Sequence, residues 1–167
     1  MNKIAKFQKV SFQQFRDDWI DIFEGSSTAL IHTYANVTLP ERKTKFSAGH
    51  DISIPFDVTV LPGQTLKIPT GIRCKMNRNY VMLIFPRSSL GIKKNMILTN
   101  TVPVIDSDYY HAENEGHIFI CIKNNGSESL VLKAGDDIVQ AVFVPYGIAD
   151  SKRVSKKRTG GIGSTDK

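Results

Sequence analysis

Ile52-Ser53-Ile54-Pro55-Phe56-Asp57-Val58-Thr59-Val60 decides the fold class. Apolar residues hold every second position, so an extended chain presents one dry face and one wet one. Pro55 has no N–H to give to a ladder, which predicts an edge or a local bulge at that point. Pro62-Gly63 makes a turn, and the alternation resumes at Leu66/Ile68 and again at Ile72/Cys74/Met76. Val81 to Phe85 is a short continuous apolar run of the kind found in buried strands, and Ile118, Ile120 and Ile122 alternate before Asn124-Asn125-Gly126. That tripeptide predicts a hairpin to Leu130-Val131-Leu132. A further apolar run covers Ile138 to Val144. Many short strands with turns at close spacing predict an all-β sandwich or barrel from residue 30 onward.

Upstream, the period is that of a helix. Ser11 is an N-cap with Gln14 three residues later, a capping-box pattern. Phe12, Phe15, Trp19 and Phe23 then recur at spacings of three and four, and Gly25 is the expected stop. The spacing predicts a helix over about 11–24, most simply a packing element. After Pro145 the hydrophobic periodicity ends, so residues 1–149 read as one domain and 150–167 as a mobile C-terminal arm.

The chain of 167 residues is 41% hydrophobic and 23% charged, which excludes a disordered or fibrous class. It contains no apolar run long enough to span a bilayer and no secretory signal pattern at Met1-Asn2-Lys3-Ile4, so a cytoplasmic protein is expected. Cys74 and Cys121 lie inside apolar alternations and read as reduced, buried thiols. The net charge of +6 points to an anionic partner. Residues 150–167 hold six Lys and Arg against Asp150 and Asp166, a net +4 that leaves only +2 for the rest. The excess therefore belongs to the arm.

Three polar loops carry candidate chemistry. Pro86-Arg87-Ser88-Ser89-Leu90-Gly91 follows a buried strand and offers a guanidinium and two hydroxyls to phosphate oxygens, with Gly91 allowing close backbone approach. Asn100-Thr101-Val102-Pro103-Val104-Ile105-Asp106-Ser107-Asp108-Tyr109 places two carboxylates two residues apart. In an extended segment they share a face while Tyr109 points away, and a carboxylate beside bound phosphate can accept a proton from water. In isolation this loop reads better as a solvated acidic turn. The arm sequence Lys157-Arg158-Thr159-Gly160-Gly161-Ile162-Gly163-Ser164-Thr165 can wrap a polyphosphate but lacks the P-loop pattern. His32, His50, His111 and His117 show no metal-ligand spacing.

In order and together, these segments resemble the homotrimeric dUTP diphosphatase (dUTPase) family and its five motifs. The matching stretches are Ser47-Ala48-Gly49-His50-Asp51-Ile52, the Pro86–Gly91 loop, Val104-Ile105-Asp106-Ser107-Asp108-Tyr109, Gly135-Asp136-Asp137-Ile138-Val139-Gln140 and the arm from Thr159 to Thr165. The resemblance implies a jelly-roll-like β fold and Mg²⁺-dependent hydrolysis of dUTP to dUMP and pyrophosphate. It makes Asp106 the carboxylate that activates water for attack on the α-phosphorus, with Mg²⁺ held mainly by the substrate's phosphates. Arg87, Ser88, Ser89 and Gln140 become phosphate contacts, and Asp51 and Asp108 take supporting roles. Asn100, Val104, Ile105 and Tyr109 fall in the nucleoside-binding stretch, with Tyr109 beneath the deoxyribose where it excludes a 2′-hydroxyl. Lys157 or Arg158, with Gly161, Ile162, Gly163, Ser164 and Thr165, would close over the site. Three subunits would share each site.

The departures are specific. Ile162 stands where the family has a stacking aromatic, so Tyr110 is a substitute candidate, and Asp137 stands where the family has Arg. Gly116 is the match for a glycine normally two residues after the tyrosine, which implies about five extra residues at 110–114. Two other readings remain at this point. A dCTP deaminase shares the fold, but Cys121 occupies the position where its glutamate is expected. A dUTPase-like regulatory binding protein, acting through the arm or the N-terminal helix, is the other.

Overall fold

A computed structural model describes residues 3–25, 29–150 and 160. The chain opens with a strand that periodicity missed, β1 (Ala5–Lys9), antiparallel to β5 (Ile72–Met76) with Phe7 opposite Cys74. AKFQK carries a single large apolar residue, so its strand state comes from its partner and not from its own pattern.

Helix α1 (Phe12–Phe23) starts where expected, with the Ser11 hydroxyl accepting the Gln14 N–H at 3.1 Å. The reciprocal half of the capping box does not form. Gln14 Nε2 donates instead to Asp18 Oδ2 at 2.9 Å, and the Ser11 N–H goes to Glu115. The left-handed C-cap is Glu24 (φ 51°), one residue before the expected Gly25. Phe15 is fully buried, and Trp19 and Phe23 pack edge-on against Phe56. A second helix, α2 (Leu30–Ala35), occupies a stretch expected to begin the strands. It has six residues and no side-chain N-cap, so it left no sequence signal.

The remaining chain is β-rich, as expected. Pro55 splits the opening alternation into β2 (His50–Ser53) and β3 (Val58–Val60). The other strands are β4 (Thr65–Pro69), β6 (Tyr80–Pro86), β7 (Met96–Leu98), β8 (Val104–Ile105), β9 (Phe119–Asn124), β10 (Leu130–Leu132) and β11 (Asp137–Pro145). They pair antiparallel as β2-β11-β6-β8, β4-β9-β7, β3-β10 and β1-β5. The inner faces form one apolar core in a jelly-roll-like arrangement, in which Ile54, Ile68, Met82, Ile84, Ile118, Ile120, Ile122 and Ile138 are wholly buried.

The hairpin expected at Asn124-Asn125-Gly126 is not formed. β9 pairs with β4 and β7, and β10 pairs with β3. Asn124 is buried, with Nδ2 donating to Val60 O and Glu128 O, both at 2.8 Å, and Oδ1 accepting the Gly126 N–H at 3.0 Å. It ties β9 to the neighbouring sheet and leaves no buried amide group unpaired.

Cys74 and Cys121 are free thiols. Burial pushes the Cys74 thiol up to about 12, so it is protonated at neutral pH and a poor nucleophile. Among the described residues no helix is long and apolar enough to cross a membrane.

Candidate active site

Strand β6 organises the polar residues, and it does so at its two ends. At the C-terminal end, Pro86 lies opposite Val139 of β11, and the Arg87 N–H donates to Ile138 O at 3.1 Å. The chain then turns into α3 (Ser88–Lys94), so Ser88 and Ser89 sit in a short helix and not in an open loop. The close approach expected at Gly91 is not needed within the chain, since a Cβ there would meet nothing nearer than 3.8 Å. The tight position is Gly49, where a Cβ would fall 2.4 Å from Gln140 Oε1. A side chain at this position would have to push the end of Gln140 aside.

Register does the rest. Gln140 pairs across β11 with Asp51 on one side and Phe85 on the other, and its Nε2 donates to Pro86 O at 3.4 Å. Asp51 is buried to 8% exposure and forms an ion pair with the Arg87 guanidinium. Asp51, Arg87, Gln140 and the adjoining Ser88 and Ser89 thus form one cluster.

Asp137 belongs to this cluster as well. Its carboxylate lies 3.5 Å from Arg87 and 3.2 Å from Lys43, and it accepts the Ser53 hydroxyl at 2.8 Å. The hydrogen bond and charge of Asp137 hold the Lys43 ammonium above its usual range. Lys43 was missed in the sequence because it sits in the charged run Glu41-Arg42-Lys43, which resembles any solvated loop.

The second group lies beside the other part of β6. Ile105 of β8 pairs with Met82, and Val104 pairs with Leu83. Asn100 occupies the turn before β8, next to Thr101 in the left-handed region (φ 60°). The extended geometry expected for 106–109 is corrected by the structure: Ser107–His111 is a 3₁₀ helix with Asp106 at its N-cap position. The tight turn folds Tyr109 inward to 7% exposure. Its hydroxyl donates to His117 O at 2.6 Å and accepts from Asn114 Nδ2 at 2.8 Å. Asp106 and Asp108 nevertheless share one cavity of about 570 Å³, with Lys75, Arg78, His111 and Tyr146 around it. Tyr110 is committed elsewhere, its hydroxyl bonded to Gln8 Oε1 at 2.6 Å and its ring face covered by Arg73 at 3.9 Å. That contact covers one face of the ring.

The two groups are not brought together within one chain. Arg87 follows Pro86, whereas Asp106 follows the partner of Met82 and so lies level with Val81, a gap of about six residues or roughly 20 Å along a strand. Lys157, Arg158, Gly161, Ile162, Gly163, Ser164 and Thr165 lie outside the described residues.

These features define a β-sandwich protein with a buried carboxylate–arginine cluster at one end of its central strand and an aspartate-lined cavity towards the other. Residues 35–165 match the family model for dUTPase, and the chain belongs to the dUTPase family. It is 42% identical over 134 residues to the deoxyuridine 5'-triphosphate nucleotidohydrolase of Lactococcus lactis subsp. lactis, covering 78% of this chain and 89% of that one. The crystal structure of dUTPase from Streptococcus mutans superposes with a TM-score of 0.66 at 33% identity, over 87% of this chain and 98% of that one. The dUTPase of Staphylococcus bacteriophage 80alpha shares the fold, with a TM-score of 0.67 at 20% identity over 93% and 98% of the two chains.

Proposed function

We propose that this member of the dUTPase family hydrolyses dUTP to dUMP and pyrophosphate at sites assembled between subunits of a homotrimer. The observation that carries the reading is the separation of Asp106 from the Arg87 cluster along β6. A symmetric ring lets one end of the strand in one subunit meet the other end in the next.

Asp106 accepts a proton from a water that attacks the α-phosphorus. The new P–O bond forms as the bond to the α–β bridging oxygen breaks, and pyrophosphate departs with the electron pair. Arg87 and the hydroxyls of Ser88 and Ser89, with Gln140, face the charge that develops on the leaving group. Mg²⁺ would be held mainly by the substrate's phosphates, and Asp108, in the same cavity as Asp106, could add a carboxylate oxygen. When bound, the ion neutralises triphosphate charge.

Buried Tyr109 forms a floor under the deoxyribose that leaves no room for a 2′-hydroxyl, while Asn100, Val104 and Ile105 border the base. In this reading residues 1–149 form the catalytic domain. Residues 150–167 close over the triphosphate, through Lys157 or Arg158 and the stretch from Gly161 to Thr165. Two free thiols accord with a cytoplasmic setting.

Turnover of dUTP, dCTP, dTTP and UTP by the full chain tests the assignment. The expected result is a preference for dUTP of roughly 100-fold or more over each competitor, because a polar pocket rejects mismatched groups strongly. Ammonia released from dCTP would favour the deaminase instead, and comparable turnover of UTP would remove Tyr109 from its role.

The Asp137 pairing predicts a second outcome. An incoming phosphate must draw Arg87 away from two carboxylates, one of them the partly exposed Asp137. Asp137→Asn removes a contact worth at most about 1 kcal/mol, so KM for dUTP falls roughly two- to fivefold with kcat little changed. A raised KM would mean that Asp137 orders Arg87 for binding and does not compete for it.

A further inference from the structure

The N-terminal elements β1 and α1 lie before residue 35, outside the stretch matched by the family model. Their aromatic face explains why they pack. Three of their polar side chains, Gln8, Ser11 and Asp18, reach one segment, residues 110–117, immediately after the Asp106 turn.

Gln8 of β1 accepts the Tyr110 hydroxyl at 2.6 Å. Ser11, the cap of α1, donates its backbone N–H and its hydroxyl to the two carboxylate oxygens of Glu115, at 2.8 and 2.6 Å. Asp18, about two helical turns further on, lies 2.6 Å from Nδ1 of the fully buried His117. The Gly71 N–H donates to His117 Nε2 at 2.8 Å, so the ring proton is assigned to Nδ1 and donated to Asp18. Gln14 fixes the Asp18 carboxylate in turn.

The anchored segment encloses Tyr109. Glu115 and Gly116 both adopt left-handed backbone (φ 56° and 70°), a conformation that a glutamate keeps only when its surroundings hold it. A Cβ at Gly116 would sit 2.6 Å from Tyr109 O, and His117 O receives the Tyr109 hydroxyl. The Tyr109 N–H closes on Asp106 O at 3.2 Å. A continuous set of hydrogen bonds therefore runs from α1 through 115–117 and Tyr109 to Asp106.

We propose that β1 and α1 form a clamp that sets the position of the Asp106 turn, with Gln8, Ser11 and Asp18 as positioning residues for the reaction. The proposal rests on Asp106 being the water-activating carboxylate. The clamp also depends on charge. Burial raises the Glu115 carboxyl, but the Ser11 bonds and the Arg73 charge act against it, and the group sits below its ordinary range. The groups facing it are Ser11 from α1, Tyr34 from α2, Arg73 from β5, 3.6 Å away, and the His117 ring from its own segment. Because the folded value is depressed, this contribution is present above the ordinary carboxyl value and is lost as pH falls through the folded one.

The test uses the full-length protein with Ser11→Ala, Glu115→Gln and Asp18→Ala. Asp17→Asn serves as a control on the same helix, its carboxylate bonded to Gln13 and Arg16. The clamp variants are expected to lose about tenfold in kcat for dUTP with KM within about threefold, since a small misplacement of a reacting group costs rate more than binding. Asp18→Asn should recover most of the rate, its Oδ1 still accepting from His117. Amide hydrogen exchange should quicken across 107–117 and stay unchanged in β6. If Asp18→Ala does not fold, Ser11→Ala and Glu115→Gln decide. A kcat within twofold of wild type for both, or a loss shared by Asp17→Asn, overturns the proposal. Full turnover by Asp106→Asn would overturn the catalytic reading separately, and the exchange pattern would then judge the clamp alone.

Discussion

Asp106→Asn is expected to lower kcat for dUTP by about 10²–10⁴-fold, the range supplied by a positioned general base. The amide is nearly the same size as the carboxylate but takes up no proton near neutral pH. The Asp106 side chain does not cap the 3₁₀ helix it precedes, so the exchange removes no helix cap. Because the amide is nearly isosteric, thermal stability and dUTP binding are expected to stay close to those of wild type. The loss should fall on kcat and not on KM, the mark of an interaction made in the transition state. Pyrophosphate release at the wild-type rate would eliminate Asp106 as the base.

The other large effect is a recovery. Asp106→Asn and Arg87→Ala should each be nearly inactive alone, and mixing them by co-refolding should restore roughly a quarter of wild-type turnover. In a ring whose sites take Asp106 from one chain and Arg87 from the next, about one site in four of a random mixture holds both intact residues. If both residues served a site within one chain, no mixture would recover. The observed gap along β6 decides the expectation. Arg87→Ala also leaves buried Asp51 without its ion-pair partner, which is destabilising. Size measurement should therefore confirm that the mixed species is the same assembly. Absence of recovery in an intact trimer would sink the shared site.

What the sequence discloses depends on how local the cause is. Helix α1 was legible because Ser11 and the Phe12/Phe15/Trp19/Phe23 spacing act within the helix. The strands around Ile52–Val60 and Ile118–Ile122 were legible because burial on one face imposes a period of two. β1 and α2 were not, since each is short and takes its state from a partner. Asn124 misled for a different reason: a residue type common in turns served as a buried bridge between strands.

The same division holds for the candidate site. Arg87, Ser88, Asp106 and Gln140 stood out through the motif resemblance, and the inward fold of Tyr109 needed the 3₁₀ turn to be seen. Lys43 and Asp137 meet across 94 positions of chain, and Ser11 meets Glu115 across 104. No local pattern encodes such encounters. Ile162, where the family's stacking aromatic is missing, lies outside the described residues, and Tyr110 is already engaged by Arg73.

The strand that keeps Asp106 and Arg87 apart has a consequence for dosage. If each site is assembled between copies, as proposed, an isolated chain is expected to be inert, however well folded. Output would then rise more steeply than in proportion to the amount of protein, and dilution would silence the enzyme before unfolding it. A cell holding this chain would thus possess a threshold of abundance, set by self-association, below which the accumulated polypeptide does nothing.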